Sequence, residues 1–288
     1  TQATIDNIYR WSEKWGMEIH PQKTQVLHFG TGNPQFAYNL NGTIISGVST
    51  AKDLGVIIDQ SCKPGEHTLA LSKKANGVLA QLNRTLVSRD KDTILSLFKV
   101  FVRPILESAV AAWSPWERKD IDVLEKVQRR ATRMIPSIGK ICYEDRLKLC
   151  NMTTLEQRRE RGDMIDVYKI MNGYTNMNVE DLFQFTSQRH NVSTRSVANQ
   201  SIVSEKCRLE LRKNFFCNRV VKKWNELPVE VRQAESINRF KNDYDVKITK
   251  SIIEKLKSTK DKETSVKLFN DAVRAYKPLT PEKKTIFT

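Results

Sequence analysis

Lys126, Arg129, Arg130 and Arg133 recur at intervals of three and four, the spacing that gathers side chains on one side of an α-helix. Leu124, Val127 and Ala131 fall on the other side, so the four cations form a stripe. A row of guanidinium and ammonium groups suits neutralisation of the phosphates of a nucleic-acid backbone; a solvated helix face is the plain alternative. Arg158, Arg159 and Arg161 make a second cluster, which Glu156, Glu160 and Asp163 can neutralise through local ion pairs. Lys73 and Lys74 are a third cationic pair.

Other chemistries find less support. His20, His28, His67 and His190 have no partner arrangement for metal binding or nucleophilic catalysis, and Cys62, Cys142, Cys150, Cys207 and Cys217 lack zinc-ligand spacing. An odd number of unpaired cysteines suits reduced thiols in the nucleus or cytoplasm, not a secreted protein. No apolar run reaches membrane-spanning length, so no membrane partner is expected. Trp113, Trp116 and Trp224 invite base stacking, yet aromatics at helix junctions beside proline are more often packing anchors.

The elements that must position these groups follow from periodicity. Ile5, Ile8, Trp11 and Trp15 predict an opening helix with one apolar face, ended by Gly16. A strand is expected over 26–29. Residues 36–40 and 43–48 read as a hairpin across Asn41-Gly42, and 54–58 as a largely buried strand. From residue 66 the pattern is helical. Leu69, Val78, Leu79, Leu82 and Leu86 mark one helix. Asp92 is placed to cap a second, with Ile94, Leu97, Phe98, Phe101 and Ile105 inward and Pro104 breaking it. Asp120 is placed to begin a third, with Ile121, Leu124, Val127, Ala131 and Met134 inward and Pro136 at its exit. Further helices are expected over 142–150, 153–172, 208–226 and 236–257, with an irregular connection over 175–205.

Charge divides unevenly along this plan. The chain of 288 residues carries 48 Lys and Arg against 33 Asp and Glu, a net +15. Residues 1–60 hold 4 basic and 5 acidic groups, and the remainder 44 and 28. The electropositive part is therefore the helical one, the polarity expected of a surface that faces phosphates.

Several words of the sequence, in order, resemble non-LTR (LINE-type) retrotransposon reverse transcriptases of the Jockey and chicken-repeat groups. They are Trp11, Trp15 and Gly16 followed by His20-Pro21-Gln22-Lys23-Thr24 and Val26-Leu27-His28-Phe29, then Lys52-Asp53-Leu54-Gly55-Val56-Ile57-Ile58-Asp59. Val102-Arg103-Pro104-Ile105-Leu106-Glu107, Ala112-Trp113-Ser114-Pro115, the 124–132 and 155–163 segments, Phe215-Phe216, Arg219-Val220-Val221 and Trp224-Asn225-Glu226-Leu227-Pro228 continue the likeness to about residue 247. Each word is weak alone; their order is specific.

The resemblance implies an α+β fold, with a small palm-derived hairpin and sheet unit followed by a mostly α-helical thumb and C-terminal region. It assigns 1–60 to the end of the palm, 61–113 to thumb-like helices, and 114–250 to a basic helical region. A Lys-rich tail, 251–288, stays unassigned. It places Lys23 where the family carries a lysine near the incoming triphosphate, able to protonate departing pyrophosphate; a solvated loop lysine is the alternative. It places Leu54, Gly55 and Val56 in the primer-grip position, where glycine permits close backbone approach, or packs a strand on a helix.

The expected partners are RNA and DNA as template–primer duplex, together with the palm and fingers half of the polymerase. Magnesium is expected for the complete enzyme. This chain has no Asp-Asp pair and starts with Thr1, so it reads as the part that follows the catalytic aspartates, without a cofactor of its own. Two alternatives remain open: a nucleic-acid-binding module kept for another purpose, and a helical protein-interaction scaffold.

Overall fold

The computed structural model describes residues 1–30, 32–185 and 200–258. The first 59 residues hold helix α1 (Gln2–Lys14) and six short strands in three two-stranded sheets. β1 (Gln25–Leu27) pairs in parallel with β4 (Ser46–Val48), while β2 (Asn39–Leu40) and β3 (Thr43–Ile44) form the hairpin expected at Asn41-Gly42. Both turn residues have positive φ, 49° and 76°, as a two-residue turn between twisted strands demands. The second hairpin strand ends at Ile44 because 46–48 pairs with β1 instead.

β5 (Thr50–Asp53) and β6 (Val56–Asp59) form a second hairpin whose turn is Leu54-Gly55. This corrects the expectation of a buried strand starting at Leu54, since Leu54 is 98% exposed. Gly55 is not a packing glycine either. A side chain there would meet no atom within 4 Å, and its φ of +92° makes it a turn residue.

The apolar face assigned to α1 is also corrected. Ile8, Trp11 and Trp15 are 51, 54 and 63% exposed, and the buried residue of the helix is Ser12. α1 meets the first hairpin through its polar side. The Gln2 amide brackets the Asn39 backbone with bonds of 2.9 and 3.1 Å, and Asn41 donates to the Tyr9 hydroxyl at 2.8 Å.

The helical part begins with α2 (Gly65–Thr85), whose inner side is His67, Thr68, Ser72, Ala75 and Leu79; Leu69 points outward. Asp90, not Asp92, caps α3 (Lys91–Leu97) by accepting from the Thr93 N–H at 2.9 Å. That backbone bond holds the Asp90 carboxyl down to about 2. Residues Phe98–Val102 then form a π-helical turn, in which the Arg103 N–H reaches back to the Phe98 carbonyl, before α4 (Arg103–Glu107). The wider turn lies just ahead of Pro104, which has no N–H to donate. It also adds a residue to the winding, so the inner face becomes Ile94, Leu95, Phe98, Val102 and Leu106 while Phe101 is exposed.

A left-handed residue, Ala109, leads into α5 (Val110–Trp113). α6 (Arg118–Arg133) starts at the Glu117 cap, three residues before Asp120, which lies buried in its first turn. Ile121, Leu124, Val127 and Ala131 face inward as expected, and the helix ends before Pro136. α7 is Tyr143–Leu149, and α8 (Leu155–Met171) opens on a Thr154/Gln157 capping box.

The irregular stretch 175–205 contains α9 (Val179–Leu182); 186–199 lies outside the described residues. The single helix expected over 208–226 is instead α10 (Glu210–Lys213), α11 (Phe216–Arg219) and α12 (Val221–Asn225). Asn214 stops the first by turning its amide onto the Glu210 carbonyl at 2.8 Å, a local bond that competes with the helix. α13 (Val229–Arg232) and α14 (Ile237–Ser258) complete the chain as described; the unassigned tail lies outside it from residue 259.

Packing does not divide at residue 113. One core joins Ala75 and Leu79 of α2, Phe98, Val102 and Leu106, and Leu124 and Val127 of α6 with Leu155 of α8. A second joins Met164, Val167 and Tyr168 of α8 with Val220, Trp224 and Phe240. α8 enters both. Between them Asp163 accepts two bonds of 2.9 Å from Arg219, whose guanidinium also donates to the Val110 and Ala111 carbonyls at 3.3 and 3.1 Å. Burial pushes the Asp163 carboxyl up against the lowering pull of Arg219. Replacing Arg219 by Gln leaves that carboxylate enclosed without its counter-ion and is expected to cost about 3 kcal/mol in urea unfolding. Lys223→Gln, on the half-exposed pair with Glu160, is expected to stay within about 0.5 kcal/mol of the parent.

Candidate nucleic-acid interface

α6 lays its apolar side on α2 and leaves Lys126, Arg129, Arg130 and Arg133 exposed. Among the described residues no carboxylate forms an ion pair with any of the four. Arg129 rests over the Tyr143 ring at 4.4 Å, and Arg130 donates to the Asn76 side chain of α2 at 3.3 Å. The Arg130–Asn76 bond links the stripe to α2. Lys73 lies one turn before Asn76 on the same side; Lys74 is offset by a further step round the helix. Both lysines are exposed.

The helix is held from behind by buried polar groups. Glu125 accepts from the Tyr143 hydroxyl, from Gln128 at 3.3 Å and from the Leu155 N–H at 3.0 Å. Burial raises its carboxyl, and these bonds oppose the rise. Arg146 is buried below the last turn, donating to Thr132 Oγ1 at 3.1 Å and the Ile141 carbonyl at 2.6 Å.

The second arginine cluster is placed differently from an open cationic surface. Arg158 forms a two-bond pair with Glu107, and Arg161 a two-bond pair with Asp245 at 2.7 and 2.8 Å. Arg159 is 3% exposed and has been taken into the interior. Arg158 and Arg161 thus take intrachain partners distant in sequence, Glu107 and Asp245.

Lys23 is exposed at the end of a single 3-10 turn (Pro21–Lys23), on the loop expected for it. Leu54, Gly55 and Val56 form the turn and first strand position of the second hairpin, the leucine outward and Val56 packed toward the first helical core. Leu54 has φ +45°, a conformation costly for an ordinary side chain. Trp224 is fully buried and its indole N–H donates to the Gln200 carbonyl at 2.9 Å, while Trp113 donates to Ser108 at 2.7 Å. Both are packing anchors.

His67, uninformative in the sequence, ties the hairpin to α2. It is 3% exposed, accepts the Ile57 N–H on Nδ1 at 3.1 Å and meets the Trp113 ring edge-on at 4.9 Å. No local signal marks it, because its partners arrive from two other elements. No group of three or more His, Cys, Asp or Glu side chains among the described residues is arranged to hold a metal. With no Asp-Asp pair in the sequence, these residues do not fit the magnesium expected of the complete enzyme. Among the described residues no helix is long and apolar enough to cross a membrane.

Comparison with known proteins gives two relatives. The chain is 26% identical over 171 residues to the probable RNA-directed DNA polymerase from transposon BS of Drosophila melanogaster, covering 56% of this chain and 18% of that protein. It is 25% identical over 138 residues to the RNA-directed DNA polymerase from mobile element jockey of Drosophila funebris, covering 46% of this chain and 15% of that protein. The chain thus matches under a fifth of the length of these curated relatives. No family model and no solved structure matches. The chain is a relative of the non-LTR retrotransposon RNA-directed DNA polymerases.

Burial, with help from Lys52, lowers the His67 pKa below its ordinary 6.5. The unfolded chain therefore takes up a proton here before the folded one does, and stability is lost as pH falls below about 6.5. Urea midpoints measured from pH 7.5 to 5.5 are expected to fall less in His67→Gln, which keeps an acceptor but does not titrate. An equal fall in both proteins removes His67 from this role.

Proposed function

We propose that this chain contributes template–primer binding to a retrotransposon RNA-directed DNA polymerase and does not itself supply the catalytic carboxylates. The observation that carries the reading is the stripe Lys126, Arg129, Arg130 and Arg133, exposed, without an ion pair among the described residues, and joined through Arg130 to the side of α2 that bears Lys73. Unpaired cations on a rigid helix pair are what a duplex backbone selects, because each phosphate contact releases a condensed counter-ion. The α6–α2 pair is the binding surface, and the Leu54-Gly55 turn is the point offered to the primer end. Lys23 acts as leaving-group acid only when the catalytic carboxylates of the other half are present. Arg158, Arg159 and Arg161 are not part of the duplex surface in this reading.

The relatives' names support the polymerase connection, and the uneven charge supports phosphate contact. Primer extension by the pure chain on a homopolymer template is expected to give no incorporation; template-dependent extension overturns the assignment of the carboxylates to another segment.

Fluorescence anisotropy of RNA and DNA duplexes at several salt concentrations tests the binding surface. The parent is expected to bind with little sequence preference and a steep salt dependence, each contact adding roughly 0.7 to 0.9 to the log-log slope. Replacing Lys126, Arg129, Arg130 and Arg133 together by Gln keeps helix propensity and is expected to lower the slope by about one unit per true contact. An unchanged slope makes the stripe a solvated face. No binding by the parent at low salt favours the protein-interaction scaffold.

A further inference from the structure

Arg159 is the one residue of the cationic clusters whose burial lacks a protein explanation. The residue is 3% exposed, and neither Nη1 nor Nη2 has a hydrogen-bond acceptor among the described residues. A buried guanidinium in that state is costly unless something accepts its hydrogen bonds. Four carboxylates lie near enough to act on it electrostatically: Glu125, Glu156, Glu107 and Asp163. Each is engaged elsewhere. Glu125 is held by Tyr143 and the Leu155 N–H, Glu156 by Arg118 at 3.4 Å, Glu107 by Arg158, and Asp163 by Arg219.

Arg159 is also among the residues that line a pocket of about 130 Å³ between the Ser114–Trp116 turn, α8 and the α11–α12 segment. The charged groups around it are three cations, Arg159, Arg219 and Lys223, and three anions, Glu156, Glu160 and Asp163. Asp163 is paired with Arg219, Glu160 with Lys223 and Glu156 with Arg118. Glu125 balances the Arg159 charge from behind through space, but the two Nη donors have no acceptor among the described residues and keep the planar arrangement that suits paired oxygens of one anion. The volume accommodates a tetrahedral oxyanion. On the rim stands Trp116, half-buried, an aromatic surface for a base next to that anion.

We propose that this pocket binds a phosphoryl group, with Arg159 as its floor, and that the group it accepts is the terminal phosphate of a nucleic-acid strand. Lys223 screens Glu160 from the entering dianion, and the buried Asp163–Arg219 pair fixes the side of the pocket. The site is separate from the exposed α6 stripe. A strand end is held by one buried fork, whereas the duplex is held by several exposed cations.

The test uses the full chain. Sodium phosphate, titrated against sodium chloride at equal ionic strength, is expected to raise the melting temperature saturably and to give a calorimetric binding isotherm. A 5′-phosphorylated single-stranded oligonucleotide is expected to bind at least about tenfold tighter than the same strand with a 5′-hydroxyl, a difference of about 1.4 kcal/mol. Arg159→Gln is expected to abolish both effects, while the quadruple α6 variant keeps them. If Arg159→Gln does not fold, two rim variants decide: Glu160→Gln removes a competing charge and tightens phosphate binding, and Lys223→Gln weakens it. Absence of a saturable phosphate effect in the parent, or a phosphate isotherm indifferent to Arg159 or to both rim changes, overturns the proposal. Equal affinity for the two oligonucleotides, with inorganic phosphate still bound, overturns the strand-end assignment.

Discussion

The Asp163–Arg219 ion pair is the constraint on which the arrangement of the helical part depends. It lies where the two cores meet, with side chains only 9 and 15% exposed. It joins α8 and α11 and, through the Val110 and Ala111 carbonyls, reaches the short helix before the Pro115 turn. A buried pair of this kind adds little net stability over an apolar pair of the same shape, but it tolerates only one geometry. The guanidinium has to satisfy a carboxylate and two carbonyls together, which fixes how the Phe216–Asn225 segment sits against α8. The anchoring of that segment continues with Asn225, whose side chain accepts from the Ile202 N–H at 3.0 Å and donates to the Ile202 carbonyl at 2.8 Å, in place of a neighbouring strand.

Much of the local structure was legible in the sequence because it is determined locally. The inner face of α6, the span of α8 and the Asn41-Gly42 turn each follow from residues within a few positions of one another. The second arginine cluster was not legible. Arg158 and Arg161 meet carboxylates 51 and 84 residues away, so their neighbours Glu156 and Glu160 gave the wrong partners. His67 was missed for the same reason. The outward turn of Leu54 contradicts a hydropathy reading that treats 54–58 as one buried run. The exposed Ile8, Trp11 and Trp15 face shows that apolar period predicts a helix's shape but not which of its sides this chain covers.

Of the candidate site, the α6 stripe could be read in advance because exposure is what its spacing predicts, and exposure needs no distant partner. The buried Arg159 could not be separated from its neighbours by type or spacing. Only its enclosure among committed carboxylates sets it apart. Two classes of cation therefore coexist in this basic chain: those left in water, where contact with a phosphate costs little desolvation, and those taken inside, where each must have a specific acceptor.

The π-helical turn at Phe98–Val102 bears on how this region is aligned with other chains. It stores one residue that the winding of an ordinary helix would not need, directly ahead of a proline that removes the bond an ordinary helix would make. Ile94 and Leu106 both face the interior only because that residue is there. A sequence without a proline at this point, wound without interruption, reaches the same inward positions with one residue fewer. A single-residue gap between 97 and 103 is thus a phase correction between two helix segments, and an ungapped alignment would assign solvent positions of one chain to core positions of the other.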